Sequence, residues 1–411
     1  MRAKLLLLLM MIALTSLKLY AQEKQDTAEF KPSGKLWGYA FGDYFYKGHS
    51  DSLNRGKNNQ FTGMVKGANA FEFRRIYLGY NYEIAPNFSA ELLLAHENEV
   101  NATSNGNPVN PASSDLLSDN SRAFYIKLAN VRWKNVWKRT DLLIGQAATP
   151  AFPLLTEVIW GYRSIERTIS DIRRTQSYDF GVSLQGKFTA NENYGYDLMI
   201  GNGQSAKIEN NMYKKFYGDV WAKFLDKKLI LDIYSDYEPQ IEAPLPGGSM
   251  KGHITNNMIK GFIAYTTPKL TVAVEAFVNN LNNEDQGVQT AAPDTKDTLT
   301  AFAEGISFYV KGPILKNKLG FFARYDMYNP NTKYDNVKYS AYTDLNGNNN
   351  YNSYNKEQFV TAGLDFTPNK QVHIMPNIWY NSYSSMLANQ TGSSKSDYDM
   401  VYRLTFYYIF R

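Results

Sequence analysis

Seven charged side chains crowd into one segment of this chain, residues 149–175, which reads TPAFPLLTEVIWGYRSIERTISDIRRT. They are four arginines and three carboxylates, namely Arg163, Arg167, Arg173 and Arg174 with Glu157, Glu166 and Asp171. Guanidinium groups bind anions through charge-assisted hydrogen bonds, which are often bidentate. When they face carboxylates instead, the same groups only neutralise them as structural ion pairs. The residue types therefore leave two interpretations open, an anion-binding cluster and a set of internal ion pairs.

The same segment is too apolar for a loop that lies in water. Its large apolar residues include Phe152, Leu154, Leu155, Val158, Ile159, Trp160, Ile165 and Ile172. We expect these residues to pack on a wall of the fold, so that the arginines face the space that remains. Ser164 is a suitable N-cap and is followed by charges at helical intervals, which predicts a short helix over 164–173.

The end of the chain indicates which solvent surrounds the fold. Between 398 and 410, one face carries Tyr398, Met400, Tyr402, Leu404, Phe406, Tyr408 and Phe410, and the other carries Asp399, Arg403 and Thr405. Such alternation is typical of a strand between lipid and a wet lumen. A soluble sandwich also alternates, but its apolar face would be rich in Leu, Ile and Val rather than ending in Tyr and Phe. Because backbone amides in hydrocarbon must all be paired, such strands cross a membrane only as a closed barrel.

About sixteen segments of this kind, each near ten residues long, are separated by turn residues. They lie near 36–46, 71–84, 87–98, 122–134, 140–147, 177–188, 193–202, 213–225, 228–237, 256–267, 269–279, 300–311, 317–328, 357–366, 371–383 and 397–410. We predict an all-β fold, a transmembrane antiparallel β-barrel of about 16 strands, with the segment 149–175 folded inward as a constriction loop. Long polar connections are expected to face the cell exterior, at about 99–121, 238–255, 280–299 and 329–356.

Strand parity places charges of both signs on the predicted lumenal face. The cations are Arg75, Lys127, Lys187, Arg324 and Arg403, and the carboxylates are Glu91, Asp179, Asp197, Glu275, Asp326 and Asp399. Because the two signs are nearly balanced, we expect at most a modest preference for anions.

The chain begins with Arg2 and Lys4, an apolar run from Leu5 to Leu14, and then Leu19-Tyr20-Ala21 before Gln22. This order predicts a signal peptide at 1–21 and a barrel domain at 22–411. The apolar run is much shorter than a spanning helix. The full chain has a net charge of +5 and no cysteine, which excludes disulfides and thiol chemistry. Basic residues are spread along the chain, so a nucleic-acid partner is not expected. The expected location is the outer membrane of a Gram-negative bacterium, in contact with its lipid bilayer.

Enzymatic chemistry has little support in the sequence. The four histidines, His49, His96, His253 and His373, have neither a nucleophile pattern nor metal-ligand spacing nearby. The segment 344–350 has oxygen side chains at alternate positions, as calcium loops do, but Asn355 stands where such a loop needs its final acidic residue. We therefore expect no enzyme activity, no cofactor and no metal, and interpret this segment as an Asn-rich surface loop.

Several short stretches occur in a fixed order between about 71 and 203. They are Phe73-Arg74-Arg75, Leu78-Gly79, GQAATP at 145–150, SIER at 164–167, Arg173-Arg174, GVSLQG at 181–186, Tyr194-Gly195 and Gly201-Asn202-Gly203. In this order they resemble the phosphate-selective porin O and P family of outer-membrane porins. The resemblance implies a sixteen-stranded, trimeric diffusion channel whose inward loop and lumenal basic residues favour anions.

One departure from that family bears on the solute. The family often has a lysine just before the Thr-Pro pair, where this chain has Ala148. The missing cation puts phosphate specificity in doubt and leaves the pore itself intact. We therefore expect a passive channel for small hydrophilic solutes, among them inorganic anions.

Two other functions stay open at this stage. A barrel with a blocked pore would bind a glycan or a partner through its Asn-rich loops, in which Tyr342, Tyr351 and Tyr354 could stack on sugars. A lipid channel would favour an apolar lumen and an N-terminal plug.

Overall fold

A computed structural model of the protein describes residues 30–56, 59, 61–97, 103–104, 107–108, 124–173, 175–205, 212–244, 251–344, 354–388 and 390–411. The expected signal peptide at 1–21, Arg174 and the Asn-rich segment after Asp344 lie outside these residues. No helix in the described part of the chain has the length and apolar character needed to cross a membrane.

The described residues form nineteen strands and three short helices. The strands are β1 (Ser33–His49), β2 (Asn69–Ala85), β3 (Phe88–Glu97), β4 (Thr103–Ser104), β5 (Asn107–Pro108), β6 (Tyr125–Trp137), β7 (Thr140–Ala148), β8 (Tyr178–Lys187), β9 (Tyr194–Gly201), β10 (Lys215–Phe224), β11 (Leu229–Pro244), β12 (Lys251–Thr266), β13 (Thr271–Gln289), β14 (Lys296–Leu315), β15 (Leu319–Asn329), β16 (Tyr339–Asp344), β17 (Asn355–Asn369), β18 (Val372–Ser385) and β19 (Ser396–Phe410). The helices are α1 (Thr156–Trp160), α2 (Ile169–Ile172) and α3 (Gly392–Lys395).

Sixteen of these strands form one closed antiparallel ring. Each pairs with its neighbour along the chain, and the ring closes where β1 pairs with β2 through Gly38 and Leu78 and with β19 through Gly38 and Phe410. The strands β4 and β5 pair with each other, and β16 pairs with the end of β13, at Asp285–Gln289. The predicted barrel and its number of strands are confirmed.

The two faces of the strands differ as the alternation predicts. On β19, Tyr402 and Leu404 are 51% and 45% exposed, whereas Arg403 and Thr405 between and beside them are 4% and 0% exposed. The outward residues form the apolar surface, and the inward residues fill the interior with charged and polar groups. That arrangement suits lipid outside the ring and polar contents within it.

The connections between barrel strands are of two kinds. Seven short turns of two to six residues lie at the end of the barrel that also holds Ser33 and Phe410. Eight connections lie at the opposite end, and six of them are longer than six residues. The segment between β7 and β8, residues 149–177, is the third of the longer connections, and we call it the inner loop.

Two of the predicted long loops are mostly strand. The hairpin of β11 and β12 reaches Pro244 and Lys251, and the hairpin of β13 and β14 reaches Gln289 and Lys296. In sequence these extensions carry few large apolar residues. Sequence periodicity could not reveal them, because it detects a strand only through an apolar face.

The lipid-facing assignment predicts a position-dependent effect of an outward charge. Ile233, halfway along the membrane part of β11, is 61% exposed on the outer face, and Leu225, in a short turn at the barrel rim, is 63% exposed. Ile233→Arg should lower the free energy of unfolding in liposomes by about 2–4 kcal/mol, and Leu225→Arg by only about 0–1 kcal/mol. Urea titration of both variants measures the difference, and equal losses would contradict the assignment.

Candidate functional site

The inner loop enters the barrel and packs its apolar residues on the inner wall. Trp160 and Ile165 are 0% exposed and lie in one buried cluster with Ile230, Phe262, Ala264, Ala273, Tyr309, Phe322 and Met375. Ala151, Phe152 and Ile169 lie in a second cluster with Met199, Tyr217, Tyr234, Met258, Phe277, Leu281, Ala301, Ala303 and Tyr328. Since the wall residues all come from barrel strands, the loop occupies a large part of the lumen.

The helix expected over 164–173 is shorter than predicted. Only Ile169–Ile172 is helical, and its N-cap is Thr168, whose hydroxyl accepts from the Asp171 amide. The preceding carbonyl groups are engaged by the barrel wall: Arg74 donates to Ser164 and Arg403 donates to Ile165. An α-helix that began at Ser164 would need the same carbonyls for its own hydrogen bonds.

Basic side chains of the wall hold the backbone of the inner loop at four places. Besides Arg74 and Arg403, Arg324 donates to the carbonyl of Arg167 and Lys260 donates to the carbonyl of Ala151. These four side chains are at most 4% exposed. The predicted lumenal cations Arg324 and Arg403 thus do lie inside the barrel, but in contact with the loop.

Strict alternation along β2 predicts that Arg74 faces the lipid, and so the sequence analysis did not include it among the lumenal cations. A bulge explains its position: Phe41 pairs with Arg75 and Gly42 pairs with Phe73, so that Arg74 has no partner in the register. Both arginines therefore point inward, and they are 2% and 5% exposed. The sequence did hint at this bulge, because two consecutive arginines in a regular strand would place one of them in lipid at a cost of about 2–4 kcal/mol.

The loop arginines meet carboxylates. Arg163 pairs with Glu157 and, at 2.8 Å, with Asp171. Arg173 pairs with Glu357 of β17 at 2.7 Å and lies 4.1 Å from the centre of the Tyr328 ring. The Nε atom of Arg167 is 3.9 Å from Glu166, and Arg174 lies outside the described residues. For Arg163 and Arg173 the ion-pair interpretation describes the geometry.

A second group of charges lies on the wall that Arg163 faces. Glu97 of β3 binds Arg75 at 2.8 Å, binds Lys127, and accepts a hydrogen bond of 2.5 Å from the Tyr77 hydroxyl. Burial alone would lower the pKa of Arg163, but the nearby carboxylates, Glu157 foremost and Glu97 among them, raise it well above its ordinary value. The loop ion pairs and the wall ion pairs are therefore electrostatic neighbours.

We call these six residues the charge ring, namely Arg75, Glu97, Lys127, Glu157, Arg163 and Asp171. Their side chains keep between 6% and 19% of their surface exposed, so they border the solvent that remains in the interior. The ring holds three cations and three carboxylates and has no net charge at neutral pH. Its field therefore favours neither sign of ion strongly.

The first long connection, described at 50–56, 59 and 61–68, also enters the barrel. The sequence did not suggest this course. Phe61 is 0% exposed and packs with Phe45, Phe359, Trp379 and Val401. Its carbonyl accepts a hydrogen bond of 2.8 Å from Lys47. A single phenylalanine in a polar stretch is a weak signal, because isolated aromatic residues are also common on surfaces.

Glu357 links both inward segments to the wall. Its Oε2 atom accepts from Asn59 of the first connection at 2.7 Å, from Arg173 of the inner loop at 2.7 Å and from Asn381 of β18 at 2.9 Å. The carboxylate is 3% exposed. Its removal would leave the charge of Arg173 without this partner in a site that excludes most water.

Glu357→Ala should therefore loosen both inward segments, since losing one partner of a buried ion pair costs about 3–5 kcal/mol. We expect faster proteolysis within 50–68 and 149–177. Glu83→Ala is the control, because Glu83 pairs with Lys134 at the exposed rim, where both side chains are more than a quarter exposed. If the two variants behave alike, Glu357 does not hold the segments.

Beyond the tip of the inner loop, toward the short turns, lies a cavity of about 280 Å³ lined by Tyr162, Thr271, Lys311, Asp365 and Thr367 among others. Asp365 accepts from the Tyr162 hydroxyl at 3.2 Å and lies 2.9 Å from Nδ1 of His373. Within the described ranges, no three His, Asp or Glu side chains are arranged to hold a metal ion.

A closed sixteen-stranded barrel with a loop folded into a charged interior defines the porin type of fold. No family model and no curated protein sequence matches the chain. Solved structures do match it: the outer membrane channel DcaP of Acinetobacter baumannii, at 12% identity over 93% of this chain and 100% of that one, has a TM-score of 0.58.

Two further structures agree with this fold. The anion-selective porin from Comamonas acidovorans matches at 9% identity over 92% of this chain and 100% of that one, with a TM-score of 0.58. The outer-membrane expressed OmpT of Vibrio cholerae matches at 10% identity over 94% and 100%, with a TM-score of 0.54. At these identities the likeness establishes the fold.

Proposed function

We propose that this protein is a porin of the Gram-negative outer membrane that lets small hydrophilic solutes diffuse down their gradients. The observation that carries the proposal is the combination of an apolar outer face with a charged interior narrowed by the inner loop. A soluble barrel has no need of such an outer face. Solved structures of the same fold are described as outer membrane channels and porins.

The proposed selectivity among ions is weak, with at most a modest preference for anions. The charge ring carries no net charge, and the wall cations Arg74, Arg324 and Arg403 are occupied with the inner loop. Phosphate specificity, which the resemblance to the porin O and P family implied, would need a free cation beside the Thr-Pro pair, where Ala148 stands. The porin described as anion-selective shares the fold with this chain at only 9% identity.

Recording from the purified protein in a planar bilayer tests the proposal. Discrete ohmic steps, with a reversal potential near zero under a salt gradient, are expected. Phosphate added to one side should leave the current nearly unchanged, and block by low phosphate would restore the specificity that Ala148 puts in doubt. Mass spectrometry in detergent tests the trimer that the resemblance implies.

A barrel whose interior is closed at rest is the second candidate function. Two inward segments occupy much of the lumen, and wall charges such as Lys47, Lys215 and Lys260 are at most 1% exposed. Such a protein would act through its long connections as a binding surface. Folded protein that gives no conductance in the bilayer would favour this candidate over the open channel.

A further inference from the structure

Aromatic rings follow one another along the interior of β1, β2, β6 and β8. Trp37 and Tyr39 are stacked, with ring centres 6.3 Å apart and planes 19° from parallel, and Tyr39 lies 4.5 Å from Tyr77. Tyr125 and Tyr178 form a second contact, with ring centres 6.3 Å apart. The Nζ atom of Lys127 lies 5.2 Å from both the Tyr77 and the Tyr178 ring and joins the two groups. We call these five aromatic residues the aromatic strip.

The aromatic strip extends along much of the barrel. Trp37 lies near the short-turn end, four residues from the start of β1, and Tyr178 is the first residue of β8, at the end with the long connections. Trp37, Tyr39, Tyr125 and Tyr178 each keep part of their surface exposed. Tyr77, which lies between them, is 1% exposed. A solute that moves along this wall would therefore meet the other four rings in two pairs, Trp37 with Tyr39 and then Tyr125 with Tyr178.

At its middle, the aromatic strip crosses the charge ring. The Tyr77 hydroxyl donates to Glu97, and Lys127 lies over two of the rings while it pairs with Glu97. Ring faces therefore stand next to both hydrogen-bond donors and a hydrogen-bond acceptor. The charged groups of the charge ring supply these donors and acceptors, and the three positive charges of that ring cancel its three negative charges.

Aromatic rings beside charged groups with no net charge favour one chemical class of solute. A small anion would gain little from the rings and would meet as many carboxylates as cations. An apolar solute would cover the charged groups without replacing their hydrogen bonds to water, which is unfavourable. A neutral sugar satisfies both parts, because its C–H face packs on an aromatic ring and its hydroxyls both donate to carboxylates and accept from ammonium and guanidinium groups.

We propose that the aromatic strip is a binding track for neutral sugars, which guides them through the lumen past the charge ring. This inference rests on the proposed channel function, for which it names the solute class. Sugar transport along the track would saturate, whereas simple diffusion of an inert polymer would not.

The test is current block of the purified channel by maltotriose in a planar bilayer, with a polyethylene glycol of equal hydrodynamic size as the inert probe. Maltotriose should reduce the current in a saturable manner, and the polymer should not. Tyr39→Ala removes the ring at the centre of the contacts and should raise the half-blocking concentration roughly fivefold. Tyr39→Phe keeps the ring and should leave that concentration nearly unchanged.

The matched control is Tyr82→Ala. Tyr82 stacks on Tyr80 with ring centres 6.1 Å apart and planes 17° from parallel, but it lies on the outer face. Its loss should not alter block by maltotriose. If Tyr39→Ala fails to fold, Tyr125→Ala tests the other end of the aromatic strip.

Two failures are distinguishable. A conducting channel that maltotriose does not block in a saturable way overturns the track and leaves the porin standing. If the protein does not conduct, calorimetric titration of the detergent-folded protein with maltotriose decides instead. Binding that Tyr39→Ala weakens and Tyr82→Ala preserves then supports the track in a closed barrel, and the absence of binding overturns it.

Discussion

If the proposed channel forms, Glu97→Gln is expected to make it prefer anions. Glu97 is the wall carboxylate of the charge ring, bound to Arg75 at 2.8 Å and to Lys127. Without it the ring holds three cations and two carboxylates. One uncompensated charge about 4 Å from a passing ion changes its energy by about 1 kcal/mol in a water-like medium, or roughly fivefold in relative permeability.

The reversal potential under a salt gradient measures this change in ion preference. A substitution that removes a positive charge from the same ring should change the preference in the opposite direction. Lys127→Met removes a cation from the same ring and should move the potential toward cations. Asp226→Asn serves as the control, because Asp226 lies in a short turn with its side chain 94% exposed, where water and salt screen it. Folding of each variant is verified by its heat-modifiable migration. Folded variants with the reversal potential of the parent would place the charge ring outside the path of the ions.

Salt dependence separates this mechanism from a change in pore shape. A single fixed charge in a wet passage is screened as ionic strength rises. The anion preference of Glu97→Gln should therefore fall between 0.1 M and 1 M salt, as the Debye length shortens from about 10 Å to about 3 Å. A preference that stays constant would instead indicate that the substitution altered the width of the passage.

The barrel could be predicted from the sequence because its physical cause is local. In a strand that separates lipid from a polar interior, each residue reveals its face by its own type, as Leu404 and Arg403 do in consecutive positions. The inward course of the inner loop was also predictable, because a loop in water has no use for Trp160 and Ile165. Both inferences need only the chemistry of single residues and their order.

The partners of the charged residues could not be predicted in this way. Arg324 and Arg403 are more than 150 residues from the loop carbonyls that they bind, and no periodic pattern connects such distant positions. Arg74 faces inward only because β2 bulges opposite Gly42, which reverses the alternation on which the prediction depended. The first connection gave only weak signals, because its contacts inside the barrel use isolated apolar residues, polar side chains and backbone atoms. These residues are Phe61, Met64, Ala68, Asn59 and Arg55.

The second large effect is expected from the residue that anchors the inner loop. Trp160 is fully buried, its ring lies 4.8 Å from that of Tyr309 and 5.6 Å from that of Tyr162, and its Nε1 atom donates to the carbonyl of Glu166 at 2.9 Å. Replacing a buried tryptophan with alanine costs about 3–5 kcal/mol. Trp160 belongs to the loop and to no barrel strand, so that this loss falls on the docking of the loop while the ring of strands stays closed.

Trp160→Ala should therefore increase the single-channel conductance, raise the size of polyethylene glycol that can enter, and add current noise from a loop that leaves the wall. Val158→Ala is the matched control, since Val158 lies in the same helix and is 67% exposed. An unchanged conductance in folded Trp160→Ala would mean that the inner loop does not limit the passage. If the parent protein does not conduct and Trp160→Ala does, the inner loop closes the barrel at rest. A lumen that is blocked at another place would stay closed when the loop is released.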